Sequence, residues 1–431
     1  MRINVSLCST KHEITVLCFN IKVNMNTKLE KIIRIAIICF VFIQVNAQSS
    51  IKTFQNAQIK VGAECFDKYI KLLKNKNVGM VVNQTSIVGK NKTHIVDTLI
   101  KQGIKIHKIY APEHGFRGDA DAGEKVDNTV DAKTGIAIIS IYGKKAKPDA
   151  EDLKNIDVLV FDIQDVGARF YTYISTLQYI LEAGAQNKIP VIILDRPNPN
   201  GHYVDGPILE KPLKSFIGMQ PVPIVYGMTM GEYGQMLNTE GWLENAIKCQ
   251  LTVIKCKGYD HRTFYELPIK PSPNIPTARA VYLYPSICFF EGTDASVGRG
   301  TEKQFQIYGS PNFPKEKATF EFTPMPNEGA KKPVHENKKC YGFDLTTLNI
   351  NTLQNERKIN LTYLLNYYRN FPNKDSFFLK NNFFNKLAGN TQMQQQIKDG
   401  KSEAEMRASW KQGLDNFKII RKKYLLYRDF K

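Results

Sequence analysis

The chain has 431 residues, 42% of them hydrophobic, and carries a formal net charge of +18 at pH 7. This length suits one large or two modest domains with a real core. The lysines are scattered and no nucleic-acid motif is found, so a nucleic-acid partner is not expected. A basic chain is drawn to anionic polymers, although a lysine-rich surface that only keeps the protein soluble explains the charge equally well.

Residues 1–47 are predicted to be a leader that is not part of the fold. Residues 25–34 form a basic segment, residues 35–43 a short apolar core, and Val45-Asn46-Ala47 a small-residue cleavage site. We expect translation to start at Met25 and the mature protein to be exported, to the periplasm or the cell exterior. The apolar run is too short to span a bilayer comfortably, so no stable membrane insertion is expected once it is removed.

Short apolar runs alternate with helix-like stretches between residues 78 and 195. The predicted strands are 78–82, 104–110, 136–141, 158–161 and 191–194, and the predicted helices are 94–102, 149–155 and 172–187. Apolar strands separated by helices predict a parallel sheet that is covered on both faces. In such sheets ligands bind beyond the carboxyl ends of the strands.

Each of these strands ends in a polar, turn-forming segment: NQTS, APEHG, YG, DIQDVG and DRPNP. The densest segment is IKIHKIYAPEHGFRGDADAGE at 104–124, where Pro112 stops the strand and places Glu113 at the start of the loop. A solvated surface turn would explain one such loop, but several of them along one edge of the sheet predict a site.

The composition shifts after residue 205, so we predict a sheet domain at 48–205 and a second domain at 206–431. A helix is expected at 229–243 and a strand at 251–255. A proline-rich irregular region, 268–314, follows and frames an apolar strand predicted at 281–289. From residue 340 the pattern is α/β again, and it closes with a basic helix at 402–426.

No cofactor or metal is predicted. There is no Walker sequence and no G-x-S-x-G elbow, and Gly298-Arg299-Gly300 lacks the third glycine of a dinucleotide fingerprint. The acidic run at 119–124 matches a calcium loop only loosely. Five cysteines follow the leader, an odd number without a CxxC pair, so neither a disulfide framework nor a zinc site is indicated.

Six long segments closely resemble the signature blocks of the bacterial exo-β-N-acetylmuramidases: YAPEHGFRGDADAGE, DVLVFDIQDVGARFYTYISTL, LDRPNPNG, YGMTMGEY, PSPNIPT and FFEGTDASVGRGT. The resemblance extends over residues 61–314 and more weakly beyond. It implies a Rossmann-like domain joined to a smaller α/β domain, with the active cleft between them. It also implies release of N-acetylmuramic acid from the non-reducing ends of peptidoglycan fragments.

Glycosidic cleavage needs a proton donor and stabilisation of an oxocarbenium-like state, commonly from two carboxyl groups. Glu113 matches the family's catalytic glutamate, and we expect desolvation at the strand end to favour its protonated form. The second group stays open between carboxylates at presumed cleft loops and the substrate's own acetamido group. The carboxylate candidates are Asp162, Asp165, Glu291 and Asp294. His114 either orients Glu113 or is hydrogen-bonded for structure.

N-acetylmuramic acid carries a lactyl carboxylate, which an arginine fork binds well. The candidates are Arg117, Arg169 and Arg299, of which Arg169 is expected to be the most structural, paired with Asp165. Two tyrosines are candidates for stacking on sugar faces, although they fit a core role as well; they are Tyr171 and Tyr173. Three asparagines are candidates for binding hydroxyl and acetamido groups, although they fit a turn role as well; they are Asn83, Asn198 and Asn274. Tyr226, where some family members carry histidine, is given no role.

Three functions are consistent with these residues. The first is an exported exo-acting glycosidase that acts on muropeptides or their sugar backbone. The second is a non-catalytic muropeptide- or glycan-binding protein, against which the density of carboxylates around Glu113 argues. The third is an esterase or amidase acting on the same polymer, and the lack of a nucleophile elbow and of a zinc pattern counts against it.

Overall fold

The computed structural model describes residues 3–8, 16–21, 59–117, 128–143 and 145–430. Residues 25–47, which carry the predicted export signal, lie outside the described residues, as does the acidic run at 119–124. One compact unit, residues 1–57, contains an antiparallel hairpin of β1 (Ile3–Cys8) and β2 (Val16–Ile21). The second unit, residues 58–431, contains all the elements below.

The strands and helices of the second unit are numbered in chain order. The strands are β3 (Val78–Val82), β4 (Ile87–Val88), β5 (Thr93–His94), β6 (Ile106–Ala111), β7 (Thr129–Val130), β8 (Ala137–Ser140), β9 (Val158–Asp162), β10 (Val191–Leu194), β11 (Leu251–Ile254), β12 (Ile307–Ser310), β13 (Phe320–Phe322) and β14 (Cys340–Asp344). The α-helices are α1 (Phe66–Leu73), α2 (Ile95–Lys101), α3 (Tyr173–Gln186), α4 (Met230–Thr239), α5 (Ala278–Ile287), α6 (Ile350–Glu356), α7 (Thr362–Asn370), α8 (Phe383–Ala388), α9 (Gln392–Lys398) and α10 (Glu403–Lys422).

Seven strands of the described part form one sheet in the order β11-β10-β9-β3-β6-β8-β7. All neighbours are parallel except the edge pair β7 and β8. Each residue of β3, β9 and β10 is buried, because apolar clusters cover both faces of the sheet. Leu159 and Phe161 point into one cluster, and Val158 and Val160 into the other. The predicted α/β class with a parallel sheet is confirmed.

The second half of the chain has a smaller antiparallel sheet, β12-β14-β13, surrounded by helices. The last helix, α10, begins with a capping box in which Ser402 and Glu405 satisfy each other's backbone amides. The predicted boundary after residue 205 stays a prediction, but β11, which follows it, pairs with β10 of the central sheet. Among the described residues, no helix is long and apolar enough to cross a membrane.

Two predicted elements are wrong. Residues 281–289 lie in α5 and a 3₁₀ turn, Cys288–Gly292, and not in a strand. This helix is buried nearly all round, so its sequence lacks the polar face by which helices are recognised. Residues 149–155 form turns and not a helix: Asp149 and Asp152 accept hydrogen bonds from each other's backbone amides, as at a helix start, but the segment does not continue as a helix.

The carboxyl edge of the sheet is held by a buried ion pair. Arg196, just after β10, binds both carboxylate oxygens of Asp162 at the end of β9, at 2.6 and 2.9 Å. Both side chains are almost fully buried, and Arg196 also donates to the carbonyl of Ile87 at 3.1 Å. The pair therefore joins the ends of two strands to the β4 segment.

We expect Arg196→Leu to lower the free energy of unfolding by about 3–5 kcal/mol, because it leaves the Asp162 carboxylate buried without its partner. Urea denaturation measures this loss. The control is Arg262→Leu, which removes a more exposed pair with Asp260 and should cost less than about 1 kcal/mol. Equal losses in the two variants would contradict a structural role for the buried pair.

Candidate active site

A cavity of about 220 Å³ lies beyond the carboxyl edge of the sheet and is bounded by both halves of the chain. Its lining residues from the first half are Glu113, His114, Tyr142, Phe170, Tyr171, Thr172, Phe216 and Ile217. Those from the second half are Ser272, Asn274, Ile275, Tyr284, Cys288, Glu291, Arg299, Phe305, Phe383 and Leu387. The mixture of aromatic walls and a few polar groups is typical of a small-molecule site.

Glu113 reaches the cavity from a tight turn after β6. The Gly115 amide donates to the carbonyl of Pro112 at 3.0 Å, and His114 takes a left-handed conformation with φ of 71°. A positive φ at the third position is the geometry of a type II turn, which residues other than glycine and asparagine rarely adopt. His114 is buried and also lines the cavity, so the turn presents both side chains to one space.

Two hydroxyl groups hold the Glu113 carboxylate. Tyr142 donates to Oε1 at 3.0 Å, and Thr172 donates to Oε2 at 2.7 Å. Tyr142 follows β8, and Thr172 immediately precedes α3. The carboxylate is half-buried, and its two oxygens are bound from different elements. Its orientation is therefore fixed before any ligand binds.

A buried layer lies behind Glu113. Tyr173 donates its hydroxyl to the Glu113 carbonyl at 3.4 Å and accepts a hydrogen bond from the Asn83 side-chain amide at 2.7 Å. The Asn83 side-chain oxygen in turn accepts from Thr85, both from its backbone amide and from its hydroxyl. Asn83 is fully buried beneath the turn, where it can act on the site through Tyr173.

A second charged pair, Glu291 and Arg299, lines the cavity from the other half of the chain. Nε and Nη2 of Arg299 both lie 2.8 Å from Oε1 of Glu291, and the Cys288 thiol donates to Oε2 at 3.4 Å. The guanidinium also lies over the Phe305 ring, 5.3 Å from its centroid. Burial opposes the charge on Arg299, but the neighbouring Glu291 carboxylate offsets this effect, so the pKa of Arg299 is raised.

Tyr171 and Asn274 also line the cavity, and each donates a hydrogen bond to a backbone carbonyl. Tyr171 donates to the carbonyl of Pro271 at 2.8 Å, and the Asn274 amide donates to the carbonyl of Gly329 at 2.5 Å. The side-chain oxygen of Asn274 is buried and has no hydrogen-bond partner among the described residues. A buried unsatisfied acceptor in a cavity is suited to a donor on a ligand, such as a hydroxyl or an acetamido N–H.

The structure places other predicted site residues outside the cavity lining. Arg169 is fully buried and donates to the carbonyls of Pro207, Val222, Leu387 and Ala388. Its predicted pairing with Asp165 is wrong, because these four carbonyls bind its two terminal nitrogens.

Asn198 and Arg117 have structural partners. The Asn198 amide donates to the carbonyl of Met228 at 2.8 Å, and its oxygen accepts from the Asn200 backbone at 2.8 Å. Arg117 is exposed and binds Asp131 at 2.9 Å.

Asp165 is buried and is held by Tyr226, to which the sequence assigned no role. One carboxylate oxygen accepts hydrogen bonds from the Tyr226 hydroxyl and, at 2.6 Å, from the Gly167 amide. Burial raises the pKa of Asp165 to about 6, against the opposing effect of these hydrogen bonds. Asp162 and Asp294, the other candidate carboxylates, are bound by Arg196 and by Ser310 with Asn312.

The sequence-based prediction did not include most of the residues that line the cavity, among them Tyr142, Thr172 and Phe216. Tyr142 lies in a polar segment at the end of a strand, and Thr172 lies in a segment that resembles the family. The sequence therefore gave a weak indication that both belong to the site. Phe216 lies in an irregular turn without periodicity, and nothing in its neighbourhood marks it. Among the described residues, no group of three or more His, Cys, Asp or Glu side chains could hold a metal ion.

The chain is similar to known proteins over most of its length. A family model described as exo-beta-N-acetylmuramidase NamZ, N-terminal, matches residues 78–279, and its C-terminal counterpart matches residues 282–427. The chain belongs to the NamZ family. The two NamZ regions meet near residue 280, so the cavity is lined by both of them.

Individual relatives extend the match over most of the chain. Peptidoglycan beta-N-acetylmuramidase NamZ from Bacillus subtilis (strain 168) is 36% identical over 397 residues, covering 87% of this chain and 93% of that protein. A DUF1343 family protein from Bacteroides fragilis NCTC 9343 has a crystal structure with a TM-score of 0.80 and 45% identity, covering 86% of this chain and all of that one. A second DUF1343 family protein from the same strain has a crystal structure with a TM-score of 0.73 and 29% identity, covering 86% of this chain and 99% of that one.

The raised pKa of Asp165 predicts a pH-dependent stability. The folded protein keeps this proton up to about pH 6, whereas the unfolded chain releases it near 3.8, so stability falls as the pH rises through this window. We expect the free energy of unfolding of the wild type, relative to Asp165→Asn, to fall by about 3 kcal/mol between about pH 4 and about pH 7. Urea titrations measure this difference, and a constant value across that range would contradict the assignment.

Proposed function

We propose that this protein is an exo-acting glycosidase that releases N-acetylmuramic acid from the non-reducing ends of peptidoglycan fragments. The observation that carries the proposal is the Glu113 carboxylate, oriented by Tyr142 and Thr172 in a small cavity. A cavity of about 220 Å³ is of the size of one sugar, which suits the terminal sugar of a chain. The NamZ relationship supports the same chemistry.

In the proposed reaction Glu113 is the general acid. Its proton passes to the leaving oxygen as the bond between that oxygen and the anomeric carbon breaks. Water then supplies the hydroxyl group at the anomeric carbon, and the remaining proton of that water restores the carboxyl group of Glu113. Of the carboxylates considered for the second role, Glu291 lines the cavity, whereas Asp165 is buried behind it. We therefore assign stabilisation of the oxocarbenium-like state to Glu291 and a structural role to Asp165.

Recognition of the lactyl carboxylate is assigned to Arg299. Its Nε and Nη2 contact Glu291, which leaves Nη1 as the guanidinium nitrogen available for a substrate anion. Asn274, with its unsatisfied oxygen, is assigned to the acetamido N–H or a hydroxyl of the same sugar. The two residues would favour muramic over glucosamine sugars, because the latter lack the lactyl group.

We also propose that the protein works outside the cytoplasm in cell-wall turnover. The support is the signal-like sequence at residues 25–47 and the basic charge, which suits an anionic polymer.

The central test is hydrolysis of a chromogenic β-N-acetylmuramide by the mature protein and by Glu113→Gln. We expect kcat in the variant to fall by about 10²- to 10⁴-fold, because the amide cannot donate the proton that a general acid supplies. The control is Glu240→Gln, which changes a half-buried carboxylate that also binds a tyrosine hydroxyl but lies outside the cavity lining. Circular dichroism checks that both variants are folded.

Two outcomes would overturn the assignment. Full activity in Glu113→Gln would show that another residue is the general acid. No hydrolysis by the wild type, together with measurable binding of muropeptides, would favour the non-catalytic glycan-binding function.

Arg299→Lys tests the selectivity. Lysine keeps the positive charge beside Glu291 but loses the planar fork, so we expect kcat/KM for the muramide to fall by about tenfold. The corresponding glucosaminide lacks the carboxylate, so the change in its kcat/KM serves as the internal control. An equal fall in kcat/KM for both sugars would contradict recognition of the lactyl carboxylate by Arg299.

A further inference from the structure

Three aromatic rings lead from the Glu113 carboxylate out of the cavity. Tyr142 and Phe216 line the cavity wall, with ring centroids 5.9 Å apart. Tyr179 is the next ring, 6.1 Å from Phe216, with the two ring planes only 16° apart. All three side chains are partly exposed. We call Tyr142, Phe216 and Tyr179 the aromatic row.

The aromatic row is held in place by the backbone beneath it. Residues 215–218 form a tight turn in which Ser215 and Gly218 exchange both backbone hydrogen bonds at 2.9 Å. The Ser175 hydroxyl, on α3, donates to the Phe216 carbonyl at 2.6 Å. Tyr179 lies one helical turn after Ser175 on the same helix. One helix therefore positions two of the three rings, and a preformed surface loses little entropy when it binds a ligand.

The far end of the row is polar. Lys147 bridges Glu182 and Glu244 at 3.4 and 2.7 Å, and all three groups are close enough to Tyr179 to influence its ionisation. Aromatic rings in a hydrophobic core are fully buried among apolar side chains, whereas these rings are partly exposed and lie beside charged groups. They suit a ligand with apolar faces and polar edges, and sugar rings have this character, with C–H groups on their faces and hydroxyl groups at their edges.

The chemistry fixes which part of the substrate meets the row. Tyr142 donates to Oε1 of Glu113, the carboxyl group assigned to protonate the leaving oxygen. The general acid must contact the leaving-group side of the bond that breaks. We therefore place the leaving sugars along the wall that begins at Tyr142 and continues through Phe216 to Tyr179. The released sugar lies in the part of the cavity that is lined by Asn274, Glu291 and Arg299.

We propose that the aromatic row binds the sugars on the leaving side of the cleaved bond, so that binding strengthens when more than one leaving sugar is present. This inference rests on the proposed function, since it needs Glu113 to act at the cavity. The ligand class is an acidic oligosaccharide of alternating amino sugars, with one lactyl carboxylate on each muramic acid. The row extends the substrate contact beyond the first leaving sugar to the ring of Tyr179.

The test compares three substrates: an aryl β-N-acetylmuramide, the muramic acid–glucosamine disaccharide and the tetrasaccharide with two such repeats. We expect the wild type to show a lower KM for the tetrasaccharide than for the disaccharide. Tyr179→Ala should raise the KM for the tetrasaccharide by about five- to tenfold more than the KM for the aryl muramide, since one stacking ring is lost.

Tyr363→Ala, which removes a partly exposed tyrosine from α7 outside the cavity lining, is the matched control and should leave all three KM values unchanged. If Tyr179→Ala does not fold, Tyr179→Leu keeps an apolar side chain in place and removes only the aromatic face. A wild type that fails on the aryl muramide would refute the proposed function itself. Normal hydrolysis of the aryl muramide, with equal KM changes for all three substrates in the Tyr179 variants, would refute the aromatic row alone.

Discussion

The site depends on the two hydrogen bonds that hold the Glu113 carboxylate. Tyr142 comes from the loop after β8 and Thr172 from the residue before α3, so the carboxylate joins segments that are far apart in sequence. Parallel strands make this possible, because their carboxyl ends all emerge at one edge and their loops meet there. The sheet has no chemistry of its own, but it determines which hydroxyl groups Glu113 can reach.

Much of this arrangement could be predicted from the sequence. The apolar runs that become β3, β9 and β10 are buried on both faces and therefore show no alternation, which is the mark of a covered parallel sheet. The turn at Glu113 was recognisable because Pro112 restricts the backbone before it and Gly115 allows a tight turn after it. The loops of the second half that carry Asn274, Glu291 and Arg299 were identified from their resemblance to the family.

Other features could not be predicted, for physical reasons. Helix α5 is buried nearly all round, so its sequence has no polar face to distinguish it from a strand. Arg169 binds four backbone carbonyls, and backbone acceptors leave no trace in the sequence. The aromatic row is built from three separate segments, and side-chain proximity across segments follows from the fold and not from local pattern. Residues with suitable chemistry could be identified from the sequence, but the sequence did not show which of them lie close together in the folded protein.

The most direct test of the proposed mechanism is a crystal structure of Glu113→Gln with the muramic acid–glucosamine disaccharide bound. We predict that the muramic acid ring lies inside the cavity, with the glycosidic oxygen within about 3 Å of the side-chain amide at position 113. The glucosamine ring should lie toward Phe216, and the lactyl carboxylate should contact Arg299. A disaccharide bound with its glycosidic oxygen beside Glu291, or outside the cavity, would contradict the central claim that Glu113 is the acid.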